Sequence, residues 1–596
     1  MENRFLEQTN GHRAKIAYFS MEVGITQEIP TYSGGLGILA GDTLKSCADL
    51  QLPVIGITLF HEKGYFFQTL DEKGNQNEKP VKWDPTSHQL ELLPFKVSVT
   101  IDQREVTIQA WRYTLNGLSG SQVPIYFLDT GLPENEPPDQ GITAHLYGGD
   151  TEYRLKQEII LGIGGIRMLR EIGYKDLHTF HMNEGHASLL TLELLREGRK
   201  RAEEVWIEEA QWDIHQVKDL CVFTTHTPVP AGHDRFSYDL VKKLLGRKSE
   251  DRLSDSEEYW WINDLPIKMV QKLAGEEDFH MTLLALNLSR YANGVAKKHG
   301  ETSKRLFPTH KIDSITNGVH TFTWTSAPFK KLFDNFIPGW TNDPFLLRHT
   351  ISIPPHAIWE AHQECKKRLC DIVKQKTEVQ LDPNRFTIGF ARRATAYKRA
   401  DLLFHDIERL REISKKGGGI QLVFAGKAHP KDEPGKDLIR TIFHHIESLK
   451  EDISAVYLKN YDIYLGGLLT SGVDVWLNTP LRPHEASGTS GMKSALNGVL
   501  NFSILDGWWI EGHREGITGW SIGTPPTEET LQEDTREGDA ADLYYKLEEI
   551  ILPKYYSDQN GWIEMMKNAL SLNSSFFSTH RMMLQYVTSA YLKKIT

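Results

Sequence analysis

Phe386-Thr387-Ile388-Gly389-Phe390 and Ile420-Gln421-Leu422-Val423-Phe424-Ala425 are short apolar runs on either side of the amphipathic stretch Arg399 to Lys415. Runs of this length bounded by turn residues read as strands buried on both faces, and the stretch between them reads as a helix crossing from one strand to the next. Each run ends in residues that can do chemistry: Arg392 and Arg393 follow the first, Gly426 and Lys427 the second. Open parallel sheets bind ligands at the carboxyl ends of their strands, so this placement predicts both a fold and a site.

The same rhythm extends in both directions. Downstream, Ala455 to Leu458 and Val473 to Leu477 read as strands, with Lys436 to Lys450 and Leu465 to Ser471 as helices. Upstream, Ile16 to Met21, Pro53 to Phe60, Val123 to Leu128, Thr179 to Asn183 and Cys221 to Thr225 are the strands. Gly37 to Leu50, Thr151 to Ile172, Ser188 to Arg201 and Leu240 to Leu245 are the helices between them. A chain of 596 residues exceeds what one core organises. Two α/β blocks are therefore expected, 1–320 and 321–596, each a doubly wound Rossmann-like domain facing the other across the active-site cleft, with the last helix packing back on the first domain. The turn-rich stretch Thr316 to Pro354 is the crossing between them, and Pro133 to Gly141 reads as a long surface loop and a lid.

Composition narrows the function classes. The formal net charge of -11 argues against a nucleic-acid partner. Met1 to Gly11 lacks an apolar signal core and no apolar run approaches membrane-spanning length, so a cytoplasmic location is expected. Cys47, Cys221, Cys365 and Cys370 are too scattered for a disulfide framework, and the last two fall in a helical stretch, Ile358 to Lys374, as packing residues. His181-Met182-Asn183-Glu184-Gly185-His186 invites a metal, but a glycine interrupts the helical spacing such a motif needs, and no metal is expected.

The most specific stretch is Pro483-His484-Glu485-Ala486-Ser487-Gly488-Thr489-Ser490-Gly491-Met492-Lys493-Ser494-Ala495-Leu496-Asn497-Gly498. Glycines and small hydroxyl residues before a helix expose backbone N–H groups to a phosphate, and Lys493, one turn further in, can reach an aldehyde on the same ligand. Pyridoxal 5'-phosphate needs that pair of features. Tyr32-Ser33-Gly34-Gly35-Leu36-Gly37 gives a second anion-binding helix start after the first strand, and His226, in Thr224-Thr225-His226-Thr227-Pro228, follows another strand.

In these blocks the chain resembles the glycogen, starch and maltodextrin phosphorylases, and is most similar to their shorter bacterial and archaeal members. The likeness runs in order through Gly34-Gly35-Leu36-Gly37, Asn183-Glu184-Gly185-His186, Thr225-His226-Thr227, Thr316-Asn317-Gly318, Arg393 with Tyr397-Lys398-Arg399, Gly426-Lys427-Ala428, Asn460-Tyr461, and Glu485 through Lys493 to Gly498. The resemblance implies a two-domain glycosyltransferase architecture of the GT-B kind and a retaining phosphorolysis. An α-1,4-glucan and inorganic phosphate would give α-glucose 1-phosphate and a shortened chain. It implies that Lys493 carries pyridoxal phosphate covalently, with Thr489, Gly488, Gly34, Gly35, Leu36, Arg392 and Tyr461 around the cofactor. Arg393 and Lys398 would hold the substrate phosphate, and Glu485, Ser487, Gly488, Asn317 and Tyr397 the glucan. His226 would set its carbonyl beside the anomeric carbon and its ring on the 6-hydroxyl. A homodimer is usual in the family, without a nucleic-acid or membrane partner.

Charge arithmetic agrees with that reading. Two single charges ~4 Å apart repel by roughly 4 kcal/mol at an effective dielectric of ~20, and two phosphates each carry up to about two charges. A site that brings them together needs several cations. The cofactor's phosphate, with a second pKa near 6, can exchange protons at neutral pH, so no glycosidase-type carboxylate pair is required.

The chain also departs from the larger phosphorylases: Arg392 stands for Lys, Thr395 for His, Ala396 for Glu, and Ser490-Gly491 for Gly-Asn. Contacts to sugar and water near that strand end are thereby in question. Few residues precede Lys15, so regulation through a phosphorylated N-terminal arm is not expected. Two rival readings are a nucleotide-sugar-dependent glucan synthase and a glucan-binding protein whose catalysis has decayed. Many such synthases carry a second glutamate eight residues after the first, where this chain, counted from Glu485, has Lys493. A decayed scaffold would have lost Lys493, Arg393 or Lys398, and all three are present.

Overall fold

The computed structural model describes residues 14–200, 211–248, 260–524 and 535–592. Met1 to Gly11 and Arg201, the predicted end of one helix, lie outside them. Two sheets, each with its own apolar core, organise the chain.

The first sheet contains β1 (Ile16–Ser20), β2 (Val54–Leu59), β3 (Glu91–Ile101), β4 (Arg104–Asn116), β5 (Gln122–Asp129), β6 (Thr179–Asn183), β7 (Cys221–Thr224), β8 (Tyr291–Gly294) and β9 (Asp313–Ser314). Its order is β9-β8-β7-β6-β1-β2-β5-β4-β3. All pairs from β9 to β5 are parallel, while β4 runs antiparallel to β5 and β3, making the sheet mixed. The parallel strands β1, β2 and β6 are buried along their whole length, which is why they read as unbroken apolar runs. β3 alternates buried and exposed positions, so its far edge gives a weaker sequence signal.

The second sheet contains β10 (Phe386–Ala391), β11 (Ile420–Ala425), β12 (Ser454–Leu458), β13 (Val475–Asn478), β14 (Leu500–Ile504) and β15 (Gly519–Ile522), all parallel. The order β12-β11-β10-β13-β14-β15 is the 3-2-1-4-5-6 pattern of a doubly wound sheet. Its switch point falls between β10 and β13, and that of the first sheet between β1 and β6. The residues just beyond these four strands begin with Met21, Glu184, Arg392 and Thr479.

Three structures tie the sheets together. A hairpin, Phe67–Leu70 and Gln76–Lys79, reaches from the first half to the second. The Gln68 side chain donates to the Gly426 carbonyl (2.9 Å) and accepts from the Asn460 N–H (2.9 Å). The Gln76 side chain donates to the Ala428 carbonyl and accepts from the Ala428 N–H. Second, helix α1 (Gly35–Asp49) sends Asp42 to the crossing segment, where its Oδ2 accepts from the His320 N–H and the Trp324 indole. Third, helix α2 (Thr579–Tyr586) returns to the first sheet and buries Met582, Met583 and Tyr586 in its core.

Several sequence expectations need correcting. Pro133 to Gly141 is no lid: Asn135 is buried, donating to the Thr107 and Thr130 carbonyls, while Asp139 takes both Nε and NH2 of Arg104. Arg399 to Lys415 is not one helix. Arg399 adopts a left-handed conformation and buries its guanidinium against Asp539, and the α-helix begins at Ile407. Thr151 to Ile172 is helical throughout but widens to π geometry over Ile160–Gly164. All four cysteines are buried thiols. Among the described residues no helix is long and apolar enough to cross a membrane.

Segment Met21 to Gly24 lies against α1 so closely that a side chain at Gly41 would meet the Gly24 carbonyl oxygen at 1.8 Å. Gly41→Ala is therefore expected to lower stability by about 1–3 kcal/mol through overpacking. A urea midpoint equal to that of the unmutated chain would show that this segment does not press on the helix.

Candidate active site

The carboxyl ends of both sheets open onto one cavity of about 1430 Å³. It gathers Gly34, Gly35, Leu36, His226, Asn317, Arg392, Arg393, Tyr397, Lys398, Tyr461, Glu485, Ser487, Gly488, Thr489 and Lys493. Every site residue singled out from the sequence thus lies on its wall, although they are contributed by elements hundreds of positions apart.

Lys493 sits in the short helix Ser490–Ala495. Its ε-amine is buried 3.7 Å from the centroid of the Trp324 ring and has no hydrogen-bond acceptor among the described residues. Trp324 is fixed from two sides: its indole donates to Asp42 (2.7 Å) and its carbonyl accepts from Asn497 Nδ2 (2.9 Å). Asn497 also donates to the carbonyl of Lys493, which gives the Leu496-Asn497-Gly498 block a structural role. Burial disfavours the ammonium form and lowers the Lys493 pKa to about 8, with Asp42 opposing and Lys45 assisting. A dry amine that gives up its proton near neutrality suits condensation with an aldehyde.

The turn before that helix is shaped by Gly488, whose φ of +74° lies in the left-handed region. Ser487 Oγ, Asn317 Oδ1 and Arg392 NH1 are buried without a partner in the cavity wall. Orphaned polar atoms of this kind call for a polar ligand. Asn317 is held by its backbone, which accepts from Arg581 NH2 on α2 (2.9 Å).

Three cations stand at the end of β10, in two different situations. Arg392 and Lys398 both donate to one oxygen of Glu485, Oε2. Burial would raise the pKa of that carboxyl, but these two cations together lower it to about 2. Arg393 makes no hydrogen bond or ion pair with any described residue and projects into the open cleft. Tyr397 packs against Lys398, whose amine lies 4.5 Å from the ring centroid.

On the opposite wall the glycine-rich turn is partly engaged. Glu22, just beyond β1, accepts from the N–H groups of Ser33 (2.6 Å) and Gly34 (3.2 Å) and from the Tyr147 hydroxyl (2.9 Å). Gly35 and Leu36 remain to offer amides at the start of α1, so the anion nest is narrower than the sequence implied. Gly37 leaves room for Glu22: a side chain there would sit 2.7 Å from its Oε2.

His226 donates its backbone N–H to Glu184 Oε2 (2.6 Å), and its ring Nε2 pairs with Asn183 Oδ1 (2.7 Å). Burial lowers its pKa to about 4, so the ring is neutral at physiological pH. Glu184 itself has φ +78° and ψ 167°, a conformation nearly reserved for glycine, which costs of order 1–3 kcal/mol. Its carboxylate accepts from Gly185 N–H, His226 N–H and the Thr227 hydroxyl, and these bonds hold the strained turn that aims the His226 loop at the cleft. Tyr461 lies beside Gly466, and burial raises its phenol pKa well above the usual value.

Glu158, His186 and Asp234 bring three potential metal donors within 4.8 Å of one another. Arg154 stands among them, 2.9 Å from Glu158 and 3.0 Å from Asp234, and supplies the positive charge. Sequence reading did not single out Glu22, Trp324 or Asp42. Glu22 follows a strand end, the rule that located the arginines, whereas Trp324 and Asp42 carry no local signal.

Comparison with known proteins agrees with this geometry. A sequence model described as carbohydrate phosphorylase matches residues 26–114 and 141–518. The chain is 37% identical to a maltodextrin phosphorylase of Thermococcus litoralis over 97% of its own length and 71% of that protein's. It is 37% identical to a glycogen phosphorylase of Mycobacterium tuberculosis, covering 97% and 70% respectively. A glycogen phosphorylase of Aquifex aeolicus is 32% identical over 99% of this chain and 88% of its own.

The Lys493 environment generates a pH prediction. Because burial favours the neutral amine, borohydride trapping of a small aldehyde at Lys493 in cofactor-stripped protein should rise with a midpoint near pH 8. Peptide mapping of the labelled lysine checks this. A midpoint near the 10.4 of a free lysine would show that the amine is solvated.

Proposed function

The chain belongs to the carbohydrate phosphorylase family, and from that premise we propose its reaction in full. It is an α-1,4-glucan phosphorylase: inorganic phosphate attacks the terminal glucose of a glycogen or maltodextrin chain and releases α-glucose 1-phosphate with retention. The observation that carries this reading is the pairing, in one cleft, of a buried acceptor-less amine at Lys493 with an unpaired guanidinium at Arg393.

The residues present fit pyridoxal 5'-phosphate. Lys493 would supply the amine for its aldehyde, and Thr489, Gly488 and the Gly34, Gly35 and Leu36 turn, with Arg392 and Tyr461, would hold the rest. When bound, the cofactor supplies a phosphate monoester able to exchange protons near neutral pH.

The chain's own residues do the remaining work. Arg393 takes the substrate phosphate through a bidentate fork, and Lys398 adds a point charge. The amides at the head of α1 contribute the positive end of a helix dipole. Asn317, Ser487, Gly488 and Glu485 orient the sugar, with Tyr397 beside them. His226 stays neutral, so its loop can present a carbonyl dipole to positive charge developing at the anomeric carbon without adding a competing cation. Binding energy is placed where charge appears during the reaction.

The two sheets, with their switch points opposed, form facing Rossmann-like domains of the GT-B kind, divided near 320. We place the enzyme in the cytoplasm as a homodimer. The nucleotide-sugar reading fares worse, since Lys493 is buried beneath Trp324 where a donor ribose would require a carboxylate.

Phosphate-dependent release of glucose 1-phosphate from maltoheptaose and from glycogen tests the reaction. Its absence in cofactor-supplemented protein would refute it. Arg393→Ala should raise the phosphate KM by roughly 10- to 150-fold, the equivalent of losing a charged hydrogen bond of about 1.5–3 kcal/mol. An unchanged phosphate KM would remove Arg393 from the phosphate site.

A further inference from the structure

The pairing at Glu485 has a consequence for how the two substrates bind, which rests on the phosphorylase reading. One carboxylate oxygen, Oε2, takes both the Arg392 guanidinium and the Lys398 amine. The three side chains are nearly buried, at 8%, 9% and 11% exposure for Arg392, Lys398 and Glu485. Glu485 cannot easily withdraw, because its backbone N–H donates to Asp506 Oδ2 (2.9 Å) at the end of β14. Its other oxygen, Oε1, faces Gly488, where an added side chain would stand only 3.5 Å away.

On the proposed assignment, in which Arg393 and Lys398 hold phosphate, phosphate oxygens and Glu485 Oε2 compete for the Lys398 amine. Arg393 alone offers phosphate a single positive charge, and phosphate carries more than one. Once phosphate draws Lys398 towards itself, Glu485 is left buried with part of its acceptor capacity unmet, a costly condition. Sugar hydroxyls donate and so satisfy it. A carboxylate that must give up cations to one substrate and gain hydroxyl donors from the other makes each substrate favour the other, and linkage requires that effect to be reciprocal.

We propose that Glu485 is a positioning residue that couples phosphate binding to glucan binding, holding Arg392 and Lys398 by the same carboxylate that receives the sugar. The coupling needs no domain movement, only a change of partners around one carboxylate.

Two measurements test it. In the holoenzyme, a matrix of initial rates should show the phosphate KM falling at least about five-fold as maltoheptaose rises towards saturation. In Glu485→Gln, which keeps the shape but removes the competing charge, that dependence should vanish. Titration calorimetry with inorganic phosphate alone should show the variant holoenzyme binding at least about five-fold more tightly than the unmutated one. Glu485→Asp, which keeps the charge, should not share the tighter binding. A thermal melt establishes that each variant is folded, and should Glu485→Gln not fold, the unmutated rate matrix alone decides. A phosphate KM independent of maltoheptaose in the unmutated enzyme overturns the proposal, as does a folded Gln variant with unchanged phosphate affinity. Loss of all phosphorolysis in the unmutated holoenzyme would instead refute the reaction.

Discussion

Burying several cations in one cleft is the constraint on which the structure of this site depends. A charge removed from water must find a partner, give up its proton or keep access to solvent. Arg392 and Lys398 take the first course through Glu485. Lys493 is pushed towards the second, since burial lowers its pKa to about 8, and Lys427, lowered likewise to about 8, also donates to the Phe66 carbonyl (3.0 Å). Arginine cannot be deprotonated in a protein, so Arg393 is left with the third and faces the open cleft. The division of labour proposed for the site follows from these three solutions: an amine for covalent attachment, a paired set that can be exchanged, and a free guanidinium for the incoming anion.

The fold delivers those groups to one place by topology. Each sheet has its switch point between a central strand and the neighbour on its other side, and both switch points open on the same cavity. From the first come Glu22 and Glu184, from the second Arg392, Arg393 and the turn leading to Glu485. Acidic groups thus enter mostly from one wall and basic groups from the other. The hairpin at Phe67 to Lys79 fixes the walls relative to each other by bonding to the backbone at Gly426, Ala428 and Asn460, next to the strand ends themselves. Trp324, on the crossing between the halves, is held by Asp42 from one and Asn497 from the other, so the dryness around Lys493 is itself a product of both.

How much of this could be read from the sequence depended on whether the signal was local. Parallel strands buried on both faces give unbroken apolar runs, and Thr179 to Asn183 and Ile420 to Ala425 were recovered to the residue. Residues just beyond such runs carry an equally local signal: Arg392, Arg393, His226 and Lys427 line the cavity, while Gly426 bonds to the Gln68 side chain instead. The antiparallel, half-exposed edge strand Glu91–Ile101 and its neighbour Arg104–Asn116 give no such run, and in the buried Leu500–Ile504 and Gly519–Ile522 the run is broken by Asn501, Ser503 and Ser521. Pro133 to Gly141 is the surface loop that its prolines and acids indicate, with Pro133, Glu134, Glu136, Pro137 and Pro138 exposed, but Asn135 and Asp139 anchor it through partners that no local pattern reveals. The hairpin clamp and the Asp42 to Trp324 bond join positions hundreds of residues apart and leave no periodicity or spacing to detect. Glu22 differs from these, because it obeys the strand-end rule and lies just beyond β1.

The two glutamates nearest the proposed phosphate position give the site its character. An acid beside an anion site looks adverse if charges are only summed, yet Glu22 spends its charge on the amides of Ser33 and Gly34, and Glu485 on Arg392 and Lys398. Glu485 pairs two nearly buried cations and Glu22 engages two half-buried amides, which leaves Arg393 in one case and Gly35 and Leu36 in the other as the donors still open to the cavity. A cleft lined only with cations would bind phosphate tightly but would have no preferred arrangement and no reason to release its product anion. With internal carboxylates in place, phosphate must displace one anion to gain full contact, which weakens ground-state binding while leaving the free guanidinium available where charge concentrates in the transition state. On the proposed reaction the same carboxylates would serve both the order of the site and its turnover.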